Sequence, residues 1–177
     1  MDAARRHIVA TAFERLSLTD HLAADRIAAR YSELRDARIT ELPGAVETIC
    51  WLRESGCRLA LVTNGSSRAQ RAKIRRFQLE PLFDAILVEG ECGFGKPDER
   101  IYLRALQELD VAAADAYMVG TSDAYMVGDK LEWDVLPAKK LGLRAAWIDV
   151  KGSGPPPEIT VQPDWVVRSL RELRTLA

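Results

Sequence analysis

Three short runs of the chain join residue types that suit phosphate and metal chemistry. The first is Thr63, Asn64, Gly65, Ser66 and Ser67, a hydroxyl, an amide and a backbone freed by glycine, just ahead of a helical pattern. Helix N-termini favour anions, so this run suits a phosphate cradle; Asn, Gly and Ser are equally at home in a plain turn and N-cap. The second is GECGFGKPD, in which Gly90, Gly95 and Lys96 fit the Gly-x4-Gly-Lys spacing of a phosphate loop. Pro97 then stands where a Ser or Thr hydroxyl would meet Mg²⁺. Pro97 suits the first turn of a helix, which leaves Lys96 as a fixed point charge, or as an ordinary solvated lysine. The third is GDKLEWD, with Asp129 and Asp134 five positions apart. Hard oxygen ligands of this kind suit Mg²⁺, which takes one or two protein carboxylates and keeps several waters. The alternative is an N-cap at Asp129 with Asp134 exposed.

These runs acquire meaning from the elements that carry them. From Pro43 onward short β-rich runs alternate with helical patterns, the signature of βα units around a parallel sheet. Strands are predicted at 58–63, 84–88, up to Gly128, 145–148 and near Trp165, and helices at about 45–55, 67–77, 98–109 and around Val135, Ala138 and Leu141, with a helix at the C-terminus. The fold class is therefore α/β, a Rossmann-like parallel sheet with helices on both faces. In such sheets ligands bind at the carboxyl ends of the strands, and each of the three runs follows a strand. Residues 1 to about 38 differ: Ala, Leu, Arg and Glu dominate, Gly and Pro are absent, and Ile8, Ala12 and Leu16 recur at helical spacing.

Composition narrows the function. The 177 residues carry 25 Lys and Arg against 26 Asp and Glu, so no broad charge excess attracts nucleic acid or an acidic membrane. Arg68, Arg71, Lys73, Arg75 and Arg76 crowd one helix but surround it, without interleaved aromatics, which argues against a nucleic-acid face. No apolar run reaches the ~18 residues of a membrane span and no signal-peptide core opens the chain, so a cytoplasmic location is expected. Cys50, Cys57 and Cys92 are odd in number and lack metal-ligand spacing, as reduced structural thiols do. With His7 and His21 alone, histidine-based catalysis is not expected.

LVTNG, GFGKPD and VGDKLEWD, in that order and each after a strand, resemble motifs two, three and four of the haloacid dehalogenase superfamily of hydrolases. The resemblance covers nearly the whole chain, and the Gly-Asp form of the last motif is similar to the phosphatases of that superfamily more than to its dehalogenases. It implies that Thr63, with the Asn64 and Gly65 amides, holds a phosphoryl group, that Lys96 neutralises it and orients the nucleophile, and that Asp129 and Asp134 serve a Mg²⁺ cofactor. The implied substrate is a small phosphorylated metabolite, a phosphate monoester. In that superfamily the attacking carboxylate comes from Asp-x-Asp on a central strand ahead of a helical cap, and no Asp-x-Asp occurs in this sequence. The expectation is an N-terminally truncated member, with residues 1–40 a partial helical cap and 41–177 the Rossmann-like core lacking its first strand. As given it would be inactive. The competing expectation is a non-catalytic remnant that binds Mg²⁺ or phosphate or serves as an interaction module.

Two features break the pattern. Pro137 is tolerable only if it lies in the first turn of its helix. The hexapeptide DAYMVG occurs at 115–120 and again at 123–128, too long a match for chance and too short a period for a solenoid. Two copies this close cannot lie side by side in parallel. One copy must hold the strand, and the second is expected to do so because it leads directly into Asp129. The first would then be extruded, or would pair backwards as a hairpin.

Overall fold

The structure is a computed structural model and describes residues 3–121, 131–154 and 160–175. The chain divides into two compact units, 1–41 and 42–177. The first is a helical pair, α1 (Ala3–Arg15) and α2 (His21–Arg38). Asp20 caps α2 by accepting a bond of 2.8 Å from the Ala23 N–H. Ala24 and Ala28, one turn apart on α2, are buried, whereas Ile8 and Leu16 are 66% and 69% exposed. Helical spacing thus identifies the helix, while the face it marks is not covered among the described residues.

The second unit holds α3 (Ala45–Glu54), β1 (Ala60–Thr63), α4 (Ser67–Arg76), β2 (Ala85–Val88), the single turn α5 (Glu89–Cys92), α6 (Glu99–Leu109), β3 (Tyr117–Thr121), α7 (Leu131–Lys140), β4 (Arg144–Ile148) and β5 (Trp165–Val167). All described strand pairs are parallel: β1 with β2 in one sheet, and β3-β4-β5 in the other. Parallel strands buried on both faces need apolar side chains on both, and β4 shows it. Ala145 and Trp147 pack on Leu131 and Val135 of α7, while Ala146 and Ile148 pack on Val167 and Leu173. The largest cluster joins Ile101, Tyr102 and Leu106 of α6 to Leu87 of β2, Ala138 of α7 and Leu143, with Val62 of β1 and Met118 of β3 packed against it. One core thus underlies both sheets.

Four local expectations are corrected. Pro97 lies ahead of α6, whose N-cap is Asp98, and the Lys96–Pro97 bond is cis. Pro137 lies in the interior of α7, not its first turn. The C-terminal element is a 3-10 helix, Leu170–Thr175. The first DAYMVG copy is neither extruded nor reversed: Tyr117 to Thr121 form β3, parallel to β4 from Tyr117 opposite Arg144 to Thr121 opposite Ile148. The second copy, Asp129 and Lys130 lie outside the described residues.

Candidate active site

Lys96, Asp134, Asn64 and Gly120 meet at the carboxyl ends of β1 and β3. Lys96 Nζ lies 2.6 Å from Asp134 Oδ1, with the Asp134 side chain 6% and the Lys96 side chain 18% exposed. The approach is an ion pair; among the described residues no hydrogen bond is directed at that buried oxygen. Asn64 fixes the lysine's backbone from both sides, its Oδ1 accepting from the Lys96 N–H at 2.8 Å and its Nδ2 donating to the Lys96 carbonyl at 2.6 Å. Asn64 is held in turn by Gln70 Nε2, which donates to its carbonyl at 2.6 Å. The amide of Asn64 therefore positions the cation.

Glycines make room for this arrangement. A Cβ on Gly120 would stand 2.7 Å from the Asp134 Cβ, so the buried carboxylate rests on the end of β3 only because that residue has no side chain. A Cβ on Gly95 would meet Asn64 Oδ1 at 2.6 Å, and one on Gly90 the Ser67 nitrogen at 2.7 Å. The phosphate-loop spacing of Gly90, Gly95 and Lys96 thus reflects close packing of two loops.

The other expected residues are placed as follows. Thr63 ends β1 and is half-buried. The Gly65 N–H, expected in a phosphate cradle, donates to Glu89 Oε2 at 2.8 Å. Ser66 is the N-cap of α4 but its side chain makes no capping bond, and Ser67 Oγ donates to Glu91 Oε1 at 2.6 Å. Glu91 also takes two bonds from Arg71, and these, with Ser67, draw its carboxyl down to about 2. Asp129 lies outside the described residues, among which no group of three or more His, Cys, Asp or Glu gathers as a metal site.

Glu89, Gln70 and Tyr102 were not legible as site residues. Glu89 directly follows β2, and residues at strand ends are where such a signal would lie. Tyr102 is buried on α6, and its hydroxyl donates to the Trp133 carbonyl, next to Asp134. Burial and then the Asp134 charge push the phenol up from its ordinary value.

A cation paired with a buried carboxylate lies at the carboxyl ends of parallel strands, where α/β sheets bind their ligands. Residues 3–142 match the haloacid dehalogenase-like hydrolase family, and the chain belongs to that family. The phosphoserine phosphatase of Thermus thermophilus is 39% identical over 132 residues, covering 74% of this chain and 49% of that protein. The glyceraldehyde 3-phosphate phosphatase of Pyrococcus abyssi is 32% identical over 117 residues, covering 66% and 46%. The chain spans about half the length of the curated relatives it matches. The solved structure of a HAD phosphatase from Thermococcus onnurineus shares the fold at TM-score 0.72 and 24% identity, over 97% of this chain and 87% of that one. No described helix is long and apolar enough to cross a membrane.

Proposed function

We propose that this chain is the phosphate- and Mg²⁺-binding part of a phosphohydrolase acting on a small phosphate monoester. The observation that carries the reading is the Lys96–Asp134 pair, fixed by Asn64 at the carboxyl ends of two parallel strands. The phosphatase names of two relatives, both for substrates that are phosphate monoesters, support the substrate class. We read residues 1–40 as part of a helical cap and 41–177 as the hydrolase core. The core lacks its first strand, in keeping with β1 and β3 sharing no ladder among the described residues. Three free cysteines suit a cytoplasmic setting.

In this reading Lys96 meets the phosphoryl oxygens as a point charge and the Thr63 hydroxyl donates to them. The Gly65 N–H joins them once Glu89 is displaced from it. Asp134, whose buried Oδ1 receives no directed hydrogen bond among the described residues, fits a Mg²⁺ site together with Asp129. Bound Mg²⁺ would neutralise charge on the transferring group. Attack on phosphorus needs a carboxylate nucleophile and a second acid for the leaving group. No Asp-x-Asp in the sequence supplies them, which also favours the second reading, a binding module without turnover.

The test is thermal unfolding with Mg²⁺ and inorganic phosphate. Together they should raise Tm, and Lys96→Met should abolish the phosphate increment; a flat response in the parent chain overturns the proposal. The chain alone should not hydrolyse p-nitrophenyl phosphate. Turnover that follows the purified chain and vanishes in Asp129→Ala would show that an attacking group is present after all.

A further inference from the structure

The single turn α5 carries two carboxylates that are held very differently. Glu91 is stapled: it accepts from Ser67 Oγ at 2.6 Å and from Arg71 Nε and Nη2 at 2.9 Å and 2.7 Å. Glu89, half-buried directly after β2, is not. Among the described residues its carboxylate has one partner, the Gly65 N–H, which donates to Oε2 at 2.8 Å, and no cation lies within ion-pair distance of it. A Cβ on Gly95 would stand 2.8 Å from both Cβ and Cγ of Glu89, so the bare glycine is what lets this side chain lie across the loop. The turn around Gly65 does not need Glu89 as a brace. The Gly65 carbonyl accepts from the Gly90 N–H at 3.0 Å, Gln70 Nε2 holds the Asn64 carbonyl at 2.6 Å, and the Asn64 side chain is bonded twice to the Lys96 backbone. These bonds fix the turn whether or not the Gly65 N–H has an acceptor.

An N–H fixed by its neighbours' bonds and covered by a loosely held carboxylate is an anion site with an anion already in it. A carboxylate offers the amide the same kind of charged oxygen that a phosphoryl group does. We infer that Glu89 is a tethered competitor for the phosphoryl group: it occupies the Gly65 N–H while the site is empty and has to leave before phosphate binds fully. The role rests on the proposed phosphoryl contact of the Gly65 N–H. A site open for only a fraction of the time binds its ligand more weakly in proportion to that fraction, so Glu89 sets the affinity for phosphate without contacting it. The ligand itself promotes the exit, because a phosphate dianion repels the carboxylate beside it. Lys96, whose backbone Asn64 holds, stays to meet the incoming charge.

Titration calorimetry of the full chain with inorganic phosphate, in the presence of Mg²⁺, tests this role. Glu89→Ala should tighten phosphate binding about tenfold, the gain expected if the Gly65 N–H is free about a tenth of the time in the parent. Glu89→Gln should gain less, because its amide oxygen can still accept from the Gly65 N–H. Unchanged or weaker binding in Glu89→Ala would make the carboxylate a bystander or a brace and overturn the inference. Equal gains in the two variants would reduce its effect to charge alone and overturn it too. Hydrogen exchange gives a second measure that does not depend on affinity. The Gly65 amide should lose protection in Glu89→Ala and regain it when phosphate is added; an amide left unprotected at saturating phosphate overturns the competition. Lys96→Met separates this role from the site it acts on. If phosphate binds the parent and not Lys96→Met, while Glu89→Ala binds no tighter than the parent, the phosphate site stands and the competitor falls. If phosphate binds neither the parent nor Glu89→Ala, both fall.

Discussion

Pro137 and Tyr102 show how a break in one residue's bonding is repaired by another. Proline has no N–H, so α7 cannot make the bond from residue 137 back to the Trp133 carbonyl. The Tyr102 hydroxyl donates to that carbonyl instead. The bond is half-buried, so Tyr102→Phe should cost about the net worth of one hydrogen bond, ~0.5–1.5 kcal/mol, in urea unfolding. A loss under a few tenths of a kcal/mol would mean that water serves the carbonyl as well. The ion pair follows the same logic. Lys96→Met strips the buried Asp134 of its counter-charge and should cost about 3 kcal/mol, the low end for such pairs because the lysine keeps some solvent. Adding Asp134→Asn should recover part of that loss; strictly additive losses would show that the two groups do not interact.

At the scale of elements, the alternation of apolar runs made β2, α6 and β4 legible, because burial on both faces leaves no other pattern for Ala-Ile-Leu-Val or Ala-Ala-Trp-Ile. The convergence of Lys96 and Asp134 was legible too, since residues that follow parallel strands must gather at one end of the sheet. What was not legible needed long-range placement. Nothing local to Gln70 or Glu89 says that one holds Asn64 and the other the Gly65 amide. Two identical hexapeptides have identical propensities, so only tertiary context could decide which becomes β3. The turn after β4 carries a prediction of its own. Asp149 is 3% exposed and accepts from the Gly152 N–H at 2.8 Å and the Gly154 N–H at 2.7 Å. Burial alone would raise its pKa, but the amides of Gly154, Gly152 and Ser153 and the Arg168 charge outweigh it, and the carboxyl falls below its ordinary value. A depressed folded pKa gives stability that is complete above the unfolded value of about 4 and is lost as pH drops below it. The Tm of Asp149→Asn should therefore be lower at pH 7 and fall less steeply between pH 5 and pH 3. Parallel acid limbs for variant and parent would refute the assignment.

For the molecule as a whole, the two units differ in how much they bury. The 42–177 unit holds every cluster described above, whereas the 1–41 unit has Ala24 and Ala28 as its buried apolar residues among those described, with Ile27, Tyr31 and Leu34 exposed at i, i+4 and i+7 on α2. Isolated units of about 40 residues are marginal without added staples, because too little of their surface leaves water on folding. A helical pair joined through alanines gains about 25 cal/mol for each Å² of apolar surface removed, against about 1–2 kcal/mol of backbone entropy per residue. It should melt early and over a broad range. The tryptophans permit a clean comparison, since Trp51, Trp133, Trp147 and Trp165 all lie in the 42–177 unit. Their fluorescence reports that unit alone, while circular dichroism at 222 nm sums the helices of both. On heating, the dichroism should begin to fall well before the fluorescence moves, and the fluorescence should then change in one cooperative step. Removing residues 1–41 should abolish the early phase and leave the fluorescence midpoint within about 3 °C of the parent. Superimposable curves in the full chain would show that the helical pair unfolds as one body with the sheet unit, and the assignment of separate stabilities would fail.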